Sequence, residues 1–152
     1  YKAAYDQMVR VAENRFVADK FVLFDVKRID ELLSTFVKGE FIAVKGVASF
    51  ALFPDCNYAW NHYILESFCY RFSEKFRLKL QNFNEKNVGL IVRKESELSY
   101  NDILARTAAE AGIALTIEQV GDYLYNNGYT TKSRMSLLNE VIERARHIVE
   151  DK

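Results

Sequence analysis

Apolar positions along this chain recur with two different periods, and the changes between them predict its elements. Ala4, Met8, Val11 and Ala12 stand at helical spacing, so a helix is expected to begin residues 2–17. Phe16–Phe24 is apolar and β-favouring. Asp25 then suits a helix N-cap, with Phe24 and Ile29 placed as a hydrophobic staple and Ile29, Leu32, Leu33 and Phe36 as the apolar stripe. Gly39 is the expected left-handed stop. Phe41–Val44 and Ala48–Phe53 read as extended segments, the second ended by Pro54. Asp55 or Asn57 could cap a helix over roughly 58–74, in which Trp60, Ile64, Phe68 and Phe72 repeat every fourth residue. A helix this apolar belongs in the centre of a core.

Strict alternation follows. Phe76, Leu78 and Leu80 share one side of a strand, and Arg77, Lys79 and Gln81 the other. Residues 82–87 are turn-forming and Val88–Val92 is a return strand, so 76–93 predicts a β-hairpin with a basic outer face. The last third is the most strongly marked. Ser99 with Asp102, and Thr116 with Gln119, are capping-box pairs three residues apart. Leu98 with Ile103, and Leu115 with Val120, are the matching staples. Gly112 and Gly128 supply the stops. Ser133 or Ser136 is expected to start a final helix reaching about Val149, with Leu137, Leu138, Val141, Ala145 and Ile148 turned inward. The expected fold class is α+β: a helix-rich domain with a small antiparallel sheet over residues 1–95, followed by a three-helix module over 96–152.

Composition supports a packed core, since 49% of the 152 residues are hydrophobic and 14% aromatic. The longest apolar runs, Phe21–Phe24 and Val47–Phe53, fall far short of the roughly 18 residues that span a bilayer. No signal-peptide pattern opens the chain. A cytoplasmic protein without a membrane partner is the expectation, and a start at Tyr1 suggests that the native chain is longer. Cys56 and Cys69 are then expected to be buried free thiols.

Formal charge is zero, but opposite charges are segregated. Residues 71–94 carry seven basic side chains against Glu74 and Glu85, whereas 95–128 carry six acidic ones against Arg106 alone. The basic block makes Arg77, Lys79, Lys86, Arg93 and Lys94 candidates for phosphate contacts, with Tyr70 and Phe83 near enough to stack on bases. The competing structural role is a solvated strand face whose lysines blunt a sheet edge.

Residues 99–128 also have the layout of a helix–turn–helix. Ala108 lies four residues before the turn glycine, as in the bacterial motif, but Glu118 occupies the position six residues after it, where that motif has a branched apolar side chain. The second helix carries Glu118 and Asp122 and no basic residue, which suits an ordinary αα-hairpin better. Together the cationic hairpin and short capped helices of residues 58–152 resemble a winged-helix domain in layout. That resemblance implies nucleic-acid binding, although here the hairpin precedes the helix pair.

Catalytic chemistry is poorly represented. His62, Glu66 and Cys69 on one predicted helix, and Glu143 with His147 on another, have metal-like spacing, but residues 62, 66 and 73 read better as a solvent-facing polar stripe. The glycines are isolated, so no phosphate-cradling loop is predicted. The expected function is non-enzymatic nucleic-acid binding through residues 77, 79, 86, 93 and 94, without a cofactor. The alternative is a protein-interaction adaptor using the acidic hairpin and exposed Tyr123, Tyr125 and Tyr129. A metal-dependent enzyme is the third possibility.

Overall fold

A computed structural model describes residues 2–80, 89–130 and 135–151, with the side chains of Met135 and Ser136 outside that description. The fold is α+β, with six helices and two small antiparallel sheets among the described residues. The chain divides into two compact units, Tyr1–Ser96 and Glu97–Lys152.

The first unit opens with α1 (Lys2–Gln7) and a hairpin of β1 (Met8–Ala12) and β2 (Arg15–Ala18). The expected helix therefore gives way to a strand at Met8. Helical spacing of Met8 and Val11 loses to strand pairing, in which Val9 and Val11 alternate onto one face and are buried together with Val22, Cys56 and Ile64. Helix α2 (Val26–Phe36) begins as expected, with the Asp25 carboxylate accepting the Arg28 N–H at 3.3 Å. It ends at Val37, whose N–H reaches Leu33 O at 2.9 Å, and Gly39 is not left-handed.

Strand β3 (Phe41–Ala43) pairs with β5 (Leu90–Arg93), which pairs with β4 (Phe76–Lys79). The order β3-β5-β4 puts β5 in the middle, where Leu90, Ile91 and Val92 are all buried. Ala48–Phe53 forms no strand. Phe53 N–H instead closes a turn onto Phe50 O at 3.0 Å, and both rings fold onto Trp60, with centroids 4.8 and 6.0 Å from it.

Helix α3 starts later than its apolar spacing predicts, spanning His62–Ser67 and continuing as one π-helical turn, Phe68–Phe72. Asn57 adopts a left-handed φ of 79°, so the backbone has already left helical conformation there. Asn61 is the actual cap: its side-chain oxygen accepts from Ile64 N–H at 2.9 Å, and its Nδ2 donates to Val11 O at 2.8 Å. Ile64 packs toward β1, while Leu65, Phe68 and Cys69 pack with Ile29, Leu33, Phe76 and Ile91.

Asp30 of α2 joins these parts from within. It is buried, and its carboxylate accepts the Ser73 hydroxyl at 2.5 Å and the Glu74 and Lys75 N–H groups at 2.9 and 3.3 Å. Ser73 Oγ accepts the Phe76 N–H in turn, so one carboxylate organises the entry into β4.

The second unit is a three-helix bundle of α4 (Tyr100–Glu110), α5 (Ile117–Asn126) and α6 (Met135–Glu150). Both bonds of the Ser99–Asp102 capping box are present, and the Thr116 hydroxyl accepts from Gln119 N–H. Gly112 and Gly128 have φ of 70° and 82°, the left-handed stops their positions called for. Leu104, Ala108, Val120, Leu124, Val141 and Ala145 form the core.

A wing before this helix pair is not shown: β5 is the middle strand of a sheet in the other unit. The predicted turn 82–87, Lys132 and Ser133 lie outside the described residues. Among the described residues no helix is long and apolar enough to cross a membrane.

Asp30→Ala would leave a buried hydroxyl and two N–H groups without their acceptor. The expected loss is about 2–3 kcal/mol of unfolding free energy, measured by urea denaturation.

Candidate functional site

The side chains of the basic segment do not share one environment. Cross-strand register decides where they point. Arg77 lies opposite Val92 and Lys79 opposite Leu90, whereas Arg93 lies opposite Phe76. Directly paired residues share a face, so Arg93 is on the opposite face from Arg77 and Lys79. The common outer face expected of these three residues is not formed.

Both guanidinium groups are also engaged within their own unit. Arg77 is half-buried and one of its terminal nitrogens donates to Ser96 O, while its Nε is buried without a partner. Arg93 donates from Nε to Gly39 O at 2.8 Å and from Nη2 to Val37 O at 2.5 Å, and stacks 5.3 Å from the Phe76 ring centroid. It thereby secures the end of α2, the place where Gly39 was expected to act through its backbone. Lys79 is half-buried and Lys94 exposed. Lys86 and Phe83 lie outside the described residues. The Tyr70 hydroxyl donates to Asp6 at 2.5 Å.

The metal-like groupings separate in the same way. His62 Nε2 donates to Val47 O at 3.0 Å. Glu66 is 1% exposed and Ser73 is buried, so residues 62, 66 and 73 are not a solvent-facing stripe. Cys56 and Cys69 are buried free thiols, and burial pushes both above the usual thiol range. His147 lies 3.7 Å from Glu143 on the exposed side of α6. Among the described residues no three metal-ligating side chains converge.

The tyrosines of the acidic hairpin divide unequally. Tyr123 is half-buried against the bundle core. Tyr129 is half-buried too; its phenol is pushed upward by burial, and its carbonyl accepts the Tyr100 hydroxyl. Tyr125 is 44% exposed and Ile117 is 36% exposed. With 100° per residue, Tyr125, Glu118 and Asp122 fall within an arc of about 60° on α5, opposite the side that buries Val120 and Leu124, whereas Ile117 stands beside Leu124 at the margin of the buried side. Residues 107–130 contain no Lys, Arg or His, so no cation in that stretch offsets Glu110, Glu118 and Asp122. Glu118 also stands in the first turn of α5, where the helix dipole favours a carboxylate.

Elsewhere on the bundle, an ion network crosses from α4 to α6. Arg144 donates to Asp102 at 2.6 Å and to Glu140 at 2.7 Å, and Asn101 donates to the other Glu140 oxygen at 2.9 Å. The Ser99 N–H, and then its hydroxyl and Arg144, hold the Asp102 carboxyl below its ordinary range. Sequence reasoning found Asp102 as a cap but missed Arg144, because the pairing spans 42 positions.

Searches against protein-family models, curated proteins and solved structures find no match. Function must therefore be argued from these surfaces.

Arg93→Ala is expected to cost about 1–2 kcal/mol, read by urea denaturation, because charge-assisted bonds to two carbonyls are lost. Asp102 has a folded pKa below its unfolded one, so its stabilisation is present above the unfolded pKa and lost as pH falls through the folded one. As pH falls below about 4 the stability of wild type should drop more steeply than that of Asp102→Asn, as read by denaturation midpoints.

Proposed function

We propose that this chain is a non-enzymatic protein-interaction module, and that the outer face of α5 contacts a basic protein surface. The carrying observation is the arc of Tyr125, Glu118 and Asp122: an exposed aromatic side chain set between carboxylates, in a stretch without cations. Tyrosine covers a large contact area at low entropic cost, while flanking carboxylates select a cationic partner and speed encounter. Tyr123 and Tyr129 support the bundle beneath this face.

Nucleic-acid binding through residues 77–94 receives less support. Arg77 and Arg93 face opposite ways and spend guanidinium donors on backbone carbonyls. An acidic α5 would in addition repel phosphates.

A photo-crosslinking amino acid at position 125 of the full chain, expressed in its native cells, tests the reading. The expected product is a nuclease-resistant adduct to a protein whose cross-linked segment is rich in Lys and Arg. Glu118→Lys combined with Asp122→Lys should abolish it. An adduct unchanged by that double reversal, or one consisting of nucleic acid, would refute the proposal.

A further inference from the structure

The end of α5 brings together the parts of a reaction that the chain can carry out on itself. Asn127 is followed by Gly128, the one Asn-Gly pair in the sequence. Asn127 is exposed and has left the helix, with φ of −98° and ψ of 10°. Glycine has no side chain to block attack of its nitrogen on the preceding amide carbon. In that reaction the Gly128 nitrogen loses its proton to hydroxide and bonds to Asn127 Cγ. The Cγ–Nδ2 bond breaks, Nδ2 takes up a proton, and ammonia leaves a five-membered succinimide ring behind. Water then opens the ring at either carbonyl, giving aspartate or isoaspartate at position 127. No electrons change hands, and water is the sole co-reactant.

The fold controls the first step. Closing the ring needs the Gly128 nitrogen to swing toward Asn127 Cβ, and at a ψ of 10° it is turned away. Bonds around the turn hold it there. The Gly128 N–H donates to Tyr125 O at 3.2 Å, the Tyr129 N–H to Leu124 O at 2.8 Å, and Asn127 Nδ2 to Tyr123 O at 2.8 Å. The first two are the paired bonds of a Schellman stop, with Gly128 left-handed at a φ of 82°. Behind the stop, the Tyr100 hydroxyl donates to Tyr129 O and ties the turn to the start of α4. A terminal helix turn opens at a far lower cost than a core unfolds. The reactive conformation is therefore reached by opening the stop, with the bundle still folded.

We infer that Asn127 is a deamidation site, converted at a rate set by opening of the α5 stop. The product weakens the structure that delayed it. A carboxylate has no N–H to give Tyr123 O, and its charge stands at the C-terminal end of the helix dipole, where an anion is disfavoured. Isoaspartate also lengthens the main chain by one carbon within the stop. A slow, irreversible modification thus loosens the last turn of α5, which includes Tyr125. The chemistry does not rest on the α5 interaction reading, and either can fail alone.

For the test, the full chain is incubated at mildly alkaline pH in native buffer and in denaturing guanidinium chloride, then cut with trypsin. The peptide 107–132 holds both Asn126 and Asn127, and fragmentation in a mass spectrometer assigns the change from amide to acid. Conversion is expected at Asn127 and not at Asn126, giving both aspartate and isoaspartate, the mark of the ring. It should run at least about tenfold faster in denaturant, where no stop has to open. Tyr100→Phe, with its helical circular dichroism retained, should convert about fivefold faster than wild type in native buffer, because one hydrogen bond holding the turn is lost. Conversion that begins at another asparagine, aspartate as the sole product, or conversion confined to denaturant would overturn the assignment. So would equal rates in the two solvents, or a Tyr100→Phe rate equal to that of wild type.

Discussion

The first unit depends on a short helix having to be buried on both sides. Ile64 of α3 packs toward the β1–β2 hairpin, while Leu65, Phe68 and Cys69 pack toward α2 and the three-stranded sheet. Such a helix has no water to satisfy its polar groups, so they must find partners in the neighbouring elements. Asn61 caps α3 and also bonds Val11 O; Ser67 Oγ accepts the Arg10 N–H at 2.9 Å. The helix thereby fixes β1, and Arg10 is carried into the interior. Arg10 is 1% exposed, donates to Tyr5 and to the Glu13 carbonyl, and lies 4.4 Å from the centre of the Tyr63 ring.

The same requirement explains why a segment rich in positive charge contributes so much to internal order. The ends of α2 and β5 leave carbonyls that need donors, and arginine can reach them from a neighbouring strand. Arg93 supplies donors to Val37 and Gly39, and Arg77 to Ser96. The charges of Arg77 and Arg93 therefore do not add on one face. The acidic residues of α5 are placed differently: the helix projects Glu118 and Asp122 outward together, beside Tyr125, as a consequence of helical geometry.

How much was legible followed the range of the interactions concerned. In the bundle, the boundaries of α4 and α5 are set by residues within four positions of them. Ser99, Asp102, Thr116, Gly112 and Gly128 act through bonds or backbone conformations that their own positions specify. The acidic character of α5 and the absence of a cation over 107–130 were equally open to reading. Which tyrosines would stay exposed was not, because Tyr123 and Tyr129 are covered by residues far along the chain.

In the first unit the local signals misled where distant partners overruled them. Residues 8–12 have helical spacing but pair as a strand, and the apolar run 48–53 folds onto Trp60 instead of extending. Residues 58–61 keep the fourth-residue repeat without being helical, since Asn57 and Asn61 set the backbone before it. By itself the sequence determined the α+β class, the β4–β5 pairing, the caps and stops of the bundle, and the segregation of charge. Tertiary structure alone decided the faces of Arg77 and Arg93 and the burial of Glu66 and Arg10. Caps and turns are bonds between near neighbours, whereas face and burial depend on which remote segments the chain brings together.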